Sequence, residues 1–176
     1  SVRLSPRQTE KEKVKDALVQ ACFECGPIQA ERAYRAYASM FPEGDILMIE
    51  EVMNEPRPPA GRTCLHASAE KGNMDMCKWI IEHGGDCGRK DKAGYSPIHY
   101  AAVRGHVDIL ELLCTARSNV LLDRQTKNGD TALHLAVAYN KLEAVEYLAE
   151  LGAYINPTNK ALWTPLHTAA AAGNST

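Results

Sequence analysis

The sequence predicts an all-α solenoid: helix–turn–helix units stacked side by side, β-hairpin or loop fingers projecting between them, and a helical cap at the N-terminal end. Three observations predict it. One motif recurs four times, its histidine standing at His66, His99, His134 and His167, at intervals of 33, 35 and 33 residues. A hydroxyl residue suited to helix capping stands three positions before each histidine. After each of the first three copies an apolar stripe with helical spacing follows.

Taken in order, residues 10–25 read as a helix with Val14, Leu18 and Cys22 on one side and Ala21 at its margin. Gly26-Pro27 stops it, and Pro27 suits the start of a second helix running to about Met40. Residues 41–44 carry a turn signal, and residues 45–54 then form a helix with Ile46, Ile49, Val52 and Met53 inward. Gly44 aligns with Gly72 and Gly105. The expected organisation is therefore a capping region over residues 1–26, a degenerate first repeat over 27–57, and repeats over 58–176. Terminal units lack one neighbour and need an altered outer face. Three repeats are complete and the fourth stops just after its first helix, which would leave Leu166, Ala169 and Ala170 without second-helix cover. The natural chain is expected to continue.

In the four copies, Thr63, Ser96, Thr131 and Thr164 stand where a helix begins, and Pro97 and Pro165 follow at the first helical position. Small residues after each histidine allow close helix approach. Gly72, Gly105 and Gly173 end the first helices with a residue that tolerates positive φ, and Asn140 can do the same in the third copy. Second helices are predicted over 74–83 (Met74, Cys77, Ile80, Ile81 inward), 107–115 (Val107, Leu110, Leu113) and 142–151 (Leu142, Val145, Leu148). Gly84-Gly85 and Gly152-Ala153 mark the turns that follow. The third link departs from the pattern, with Arg117 in the glycine position, two extra residues before Gly129, and an apolar run Val120-Leu121-Leu122. If exposed, that run is a second candidate contact.

On these residues, from about Pro58 to Thr176, the chain resembles the ankyrin-repeat family. The resemblance implies stacked repeats of about 33 residues and a protein-interaction role. It also implies that the motif histidines are structural, tying loops together by hydrogen bonds.

Composition narrows the function classes. A net charge of −2 and pI near 6.3 give no general reason for nucleic-acid or membrane-surface binding, and no apolar run approaches a membrane span. The six cysteines form no evenly spaced framework, which points to a reducing compartment, cytosol or nucleus. Cys22-Phe-Glu-Cys25 has no second pair at zinc-site spacing, and the four motif histidines, one per repeat, cannot converge on one ion. No nucleotide-binding glycine loop, nucleophile elbow or zinc-protease signature occurs. No cofactor, no metal and no catalysis are expected.

The resemblance places partner-binding positions around the motif glycine and before the glycine ending the first helix. Carried over residue by residue, they give Arg62, Lys71, Lys92, Tyr95, Arg104, Lys127, Asp130, Tyr139, Lys160 and Trp163, with Glu70 also in the set. Six basic residues stand against two acidic ones, within a repeat region (58–176) that balances at twelve of each. Tyr95, Tyr139 and Trp163 add aromatic surface of the kind favoured in interfaces. The expected partner is a protein segment, acidic or phosphorylated, held in a concave groove. The alternatives are a regulatory domain of a larger enzyme or channel and, third, nucleic-acid binding through the basic groove.

Overall fold

The computed structural model describes residues 13, 15–40, 46–116 and 121–173. The expectations for Val14 and the start of the first helix, for the turn at 41–44, and for Arg117 and Val120 lie outside the described residues.

The first helix, α1, occupies residues 15–25, and its last turn, Ala21–Cys25, is a π-helix. Leu18, Val19, Ala21 and Cys22 are buried. The Gly26 N–H closes the turn on the Ala21 carbonyl at 3.3 Å. Two further helices follow, α2 (Pro27–Met40) and α3 (Ile46–Met53), the latter burying Val52 and Met53. Three pairs come next: α4 (Cys64–Lys71) with α5 (Met74–Glu82), α6 (Pro97–Arg104) with α7 (Val107–Ala116), and α8 (Ala132–Ala138) with α9 (Leu142–Glu150). The last described helix is α10 (Pro165–Ala172).

These elements build two layers. The first helices α4, α6, α8 and α10 stack in succession, and so do the second helices α5, α7 and α9. Ala69, Ala101, Ala102, Ala136 and Ala169 are buried in the first layer, where small side chains permit the close approach. Between the layers lie Ile80, Leu110, Leu113 and Leu148, all fully buried; each contributes about 1.5–3 kcal/mol by leaving water. At the N-terminal end α1 lies against α4 and α2 against α5. Both α1 and α2 therefore cover this end of the array. Trp79 fixes this docking, its indole N–H donating to Glu31 at 2.9 Å.

Several faces differ from expectation. In α5 the buried set includes Met76 and Trp79, because α2 covers that flank. In α9 Leu142 is exposed and Ala144 is buried instead. Among the described residues no second helix follows α10 to cover Leu142 from the far side. For the same reason Leu166 and Ala170 are exposed, while Ala169 is buried in the layer that α10 forms with α8. Leu121 and Leu122 are buried, so this part of the third link belongs to the core and is not an exposed contact. Among the described residues every regular element is helical. The fingers are turns, with one isolated antiparallel bridge between Arg57 and Arg62.

Candidate functional site

The fingers are positioned by the motif histidines. His66, His99 and His134 are buried. In each, Nδ1 accepts from the backbone N–H of the capping residue, Thr63 (3.0 Å), Ser96 (3.0 Å) or Thr131 (3.2 Å). Nε2 faces a carbonyl of the following unit: Tyr95 at 3.0 Å, Arg124 at 2.9 Å and Trp163 at 2.9 Å. A carbonyl only accepts, so Nε2 carries the proton and Nδ1 is bare. The ring is thus held neutral, one nitrogen capping its own helix and the other fastening the next finger or link. Burial holds His66 below the usual imidazole range and pushes His99 down to about 4. His167 has the same Nδ1 arrangement but is exposed.

Each finger then closes on itself and on its neighbour. Asp91 Oδ1 accepts from the N–H groups of Ala93 (2.9 Å) and Tyr95 (2.8 Å), and Asn159 Oδ1 accepts from Ala161 and Trp163 at 3.0 Å each. Thr126 plays the same part through its hydroxyl, which accepts from Asp130 N–H at 3.2 Å. Successive fingers are tied by backbone bonds: Lys92 N–H to Ala60 O (2.9 Å), Lys127 N–H to Ala93 O (3.1 Å), and Lys160 N–H to Asn128 O (2.9 Å). The fit is close enough to require glycine. A Cβ on Gly94 would stand 2.5 Å from Lys127 N, and one on Gly129 would stand 2.8 Å from Lys160 N.

On this frame the structure sorts the ten expected binding residues into engaged and free. Arg62 is half-buried, its guanidinium 4.3 Å over the Tyr100 ring, and it pairs with Glu70. Arg104 meets the other oxygen of the same carboxylate at 3.1 Å. Arg62 first, with Arg104, holds the Glu70 carboxyl below the usual carboxylate range. Lys71 donates to the Phe23 carbonyl at 2.6 Å, which ties the first repeat to α1. Asp130 accepts from Asn159 Nδ2 at 2.8 Å. Tyr95 is half-buried against His99 and Tyr100. Lys92, Lys127 and Lys160 are exposed, and among the described residues no hydrogen bond or ion pair holds their ammonium groups. Tyr139 (57% exposed) and Trp163 (44%) present aromatic surface to solvent. The six-to-two charge excess is therefore not spread over the face. It is least offset at the fingertips, because the one Glu70 carboxylate, shared by Arg62 and Arg104, offsets part of the charge on the first helices and the first finger.

Sequence reasoning missed Asp91, Thr126, Asn159, Tyr100 and the bridging role of Glu70. The finger-base residues do carry a signal: an Asp, Thr or Asn three places before the motif glycine position, where a side-chain oxygen can cap a turn. At the N-terminal end of the face an open cleft of about 760 Å³ lies between α1 and the first finger, bounded by Phe23, Arg57, Pro59, Arg62 and Lys71. Among the described residues no group of three or more His, Cys, Asp or Glu is placed to hold a metal ion. No described helix is long and apolar enough to cross a membrane.

Comparison with known proteins agrees with this architecture. A family model for ankyrin repeats (three copies) matches residues 37–122 and 118–176. Human ankyrin repeat domain-containing protein 63 is 39% identical over 47% of this chain and 22% of its own length. Tyrosine-protein kinase HTK16 of Hydra vulgaris is 31% identical over 62% of this chain and 14% of its own. Transient receptor potential channel pyrexia of Drosophila melanogaster is 32% identical over 64% and 12%. The chain thus spans less than a quarter of the length of each of these relatives.

Proposed function

The chain belongs to the ankyrin-repeat family, and from that premise we propose that its fingers and the C-terminal turns of its first helices bind a segment of a partner protein. Ankyrin repeats mediate protein–protein interaction, and relatives carrying them include larger kinase and channel proteins. The observation that carries the finer reading is the exposure of Tyr139 and Trp163, together with fingertip lysines whose ammonium groups meet no partner among the described residues. Backbone groups between successive fingers are already bonded to each other, so a partner meets side chains and not an open sheet edge. Aromatic side chains bury large area with few rotatable bonds and supply the tight contacts. In this proposal the array does no catalysis and requires no cofactor. It works in an intracellular, reducing compartment, a view supported by five cysteines (Cys22, Cys64, Cys77, Cys87, Cys114) that are buried and form no disulfide among the described residues.

A second reading places the array as a regulatory region of a longer enzyme or channel, and the two relatives named for those activities favour keeping it. Nucleic-acid binding is disfavoured by the pairing of Arg62 and Arg104 with Glu70, which occupies the two guanidinium forks best suited to phosphate. A photo-crosslinking residue at position 139 tests the main reading. It is expected to capture a protein that the same group at Lys78, exposed on α5, does not. Tyr139→Ala should raise the dissociation rate of that protein and cost about 1–2 kcal/mol of affinity. Capture from both positions equally, with no effect of Tyr139→Ala, would rule the surface out.

A further inference from the structure

We propose that the ammonium groups of Lys92, Lys127 and Lys160 form a three-point row that takes an extended acidic protein segment with one carboxylate per finger, at every third residue. This rests on the reading of the finger face as a protein-binding surface and specifies the chemistry and register of what lies there.

The three lysines hold one position in three successive fingers, two residues before the motif glycine or its replacement: Asp91-Lys92-Ala93-Gly94, Thr126-Lys127-Asn128-Gly129 and Asn159-Lys160-Ala161-Leu162. Each has its own backbone N–H bonded to the preceding fingertip, so the three are placed by the same repeated contact. The stems of Lys92 and Lys127 pass close to Gly61 and Gly94 of the preceding fingers. The neighbouring cations already hold protein partners. Arg62 and Arg104 are on Glu70, Lys71 is on the Phe23 carbonyl, Lys90 donates to the Gln125 carbonyl at 2.7 Å, and Arg124 donates to the Gly88 carbonyl at 2.8 Å. Asp130, the acidic side chain of the third finger, is engaged with Asn159.

Spacing and charge define the ligand. Adjacent repeats stand about 10 Å apart by helix-packing distance. A polyproline-II segment advances about 9.3 Å in each turn of three residues, so every third side chain lies on one face at that spacing. A β-strand does not fit, since its third residue points to the opposite face. Acidic segments poor in apolar residues populate polyproline II while unbound, which reduces the ordering they undergo on docking. One ammonium per finger balances one carboxylate. A phosphate carries nearly twice that charge and is matched best by the planar fork of arginine, and both arginines of this face are occupied.

Fluorescence anisotropy at low ionic strength tests the row with two labelled peptides of identical composition, one repeating Glu-Pro-Ser four times and one with its glutamates contiguous. The periodic peptide is expected to bind about fivefold tighter. Lys127→Glu, at the centre, should weaken it about tenfold, and Lys92→Glu or Lys160→Glu about threefold each. Lys78→Glu, the same charge change on α5, should leave binding unaltered; circular dichroism and melting confirm that each variant folds. Equal binding of the two peptides, no binding of either, or no effect of Lys127→Glu would overturn the row. So would tighter binding of a seven-residue-period helical peptide, of a phosphoserine version, or of a single-stranded oligonucleotide. The underlying reading fails separately: if position 139 captures a partner sensitive to Tyr139→Ala but not to Lys127→Glu, the surface stands and the row falls.

Discussion

The fingers at Gly94 and Leu162 start from the same motif position and meet different surroundings. Gly94 has φ +86°, and a Cβ there would stand 2.5 Å from the backbone of the next finger. Leu162 has φ +61° with its side chain 77% exposed. The position therefore demands glycine for two separable reasons: a left-handed backbone, and the close approach of a following finger. The interior finger feels both, and the fourth feels only the first among the described residues. The motif histidines divide in the same way. His99 is buried and bonded at both nitrogens, whereas His167 is exposed and caps only its own helix.

The largest expected difference is between these two histidines. His99→Ala removes a cap, leaves the Ser96 N–H and the Arg124 carbonyl without their partner, and opens a cavity between repeats. A cost of about 3–4 kcal/mol is expected from the unsatisfied groups and lost packing. His167→Ala should cost less than about 1 kcal/mol, the value of an exposed cap. Urea unfolding of the two variants measures both, and similar losses would show that the clamp between repeats contributes little. Second in size is Gly94→Ala. Its methyl group would adopt an unfavourable φ and also displace the Lys127 backbone, for a loss of about 2–3 kcal/mol. The same change at Gly152, whose Cβ would meet nothing within 4 Å, isolates the conformational part and should cost about 1 kcal/mol.

Acid sharpens the contrast further. His99 titrates in the unfolded chain near the ordinary value of 6.5 and in the folded chain at about 4. The unfolded state therefore binds the extra proton throughout that window. The contribution of this group is complete above roughly pH 6.5 and is lost as pH falls through about 4. His66 shifts in the same direction, also through burial. Unfolding free energy should drop by about 2 kcal/mol or more between neutral pH and pH near 4.5. The slope should flatten in His99→Ala, which no longer has the group; an unchanged slope would place the acid sensitivity elsewhere.

The parts legible in the sequence were those set by local chemistry. Capping hydroxyls, prolines at the first helical turn, and Asn140 at φ +53° all act within a few residues, so spacing alone revealed them. The bonds from the histidines to the next unit span 29 residues for His66 and His134, and only the family resemblance suggested them. Which cations are free was not legible. Glu70 takes Arg62 from eight residues away and Arg104 from 34 residues away. That pairing depends on how one repeat sits on the next, and no pattern within a single repeat encodes it. Leu142 failed for a related reason: periodicity gives the apolar face of α9, and the neighbouring helix decides which part of it is covered.

The smallest predicted effect is the most discriminating, because its sign is opposite to the others. Leu162→Gly relieves a left-handed backbone that costs a side-chain-bearing residue about 1–2 kcal/mol. Against this, glycine gives the unfolded chain more freedom, which costs about 0.4–1 kcal/mol. The leucine side chain is largely in solvent, so little burial is lost with it. The balance is a net stabilisation of about 0.5–1 kcal/mol, seen as a higher urea midpoint with an unchanged denaturant slope. Gly129→Leu, the reverse exchange one repeat earlier, would place a Cβ 2.8 Å from Lys160 N and should destabilise by several times that amount. If Leu162→Gly instead lowers the midpoint, the leucine contributes contacts that its exposure does not reveal, and the fourth finger differs from the interior fingers in more than the missing neighbour.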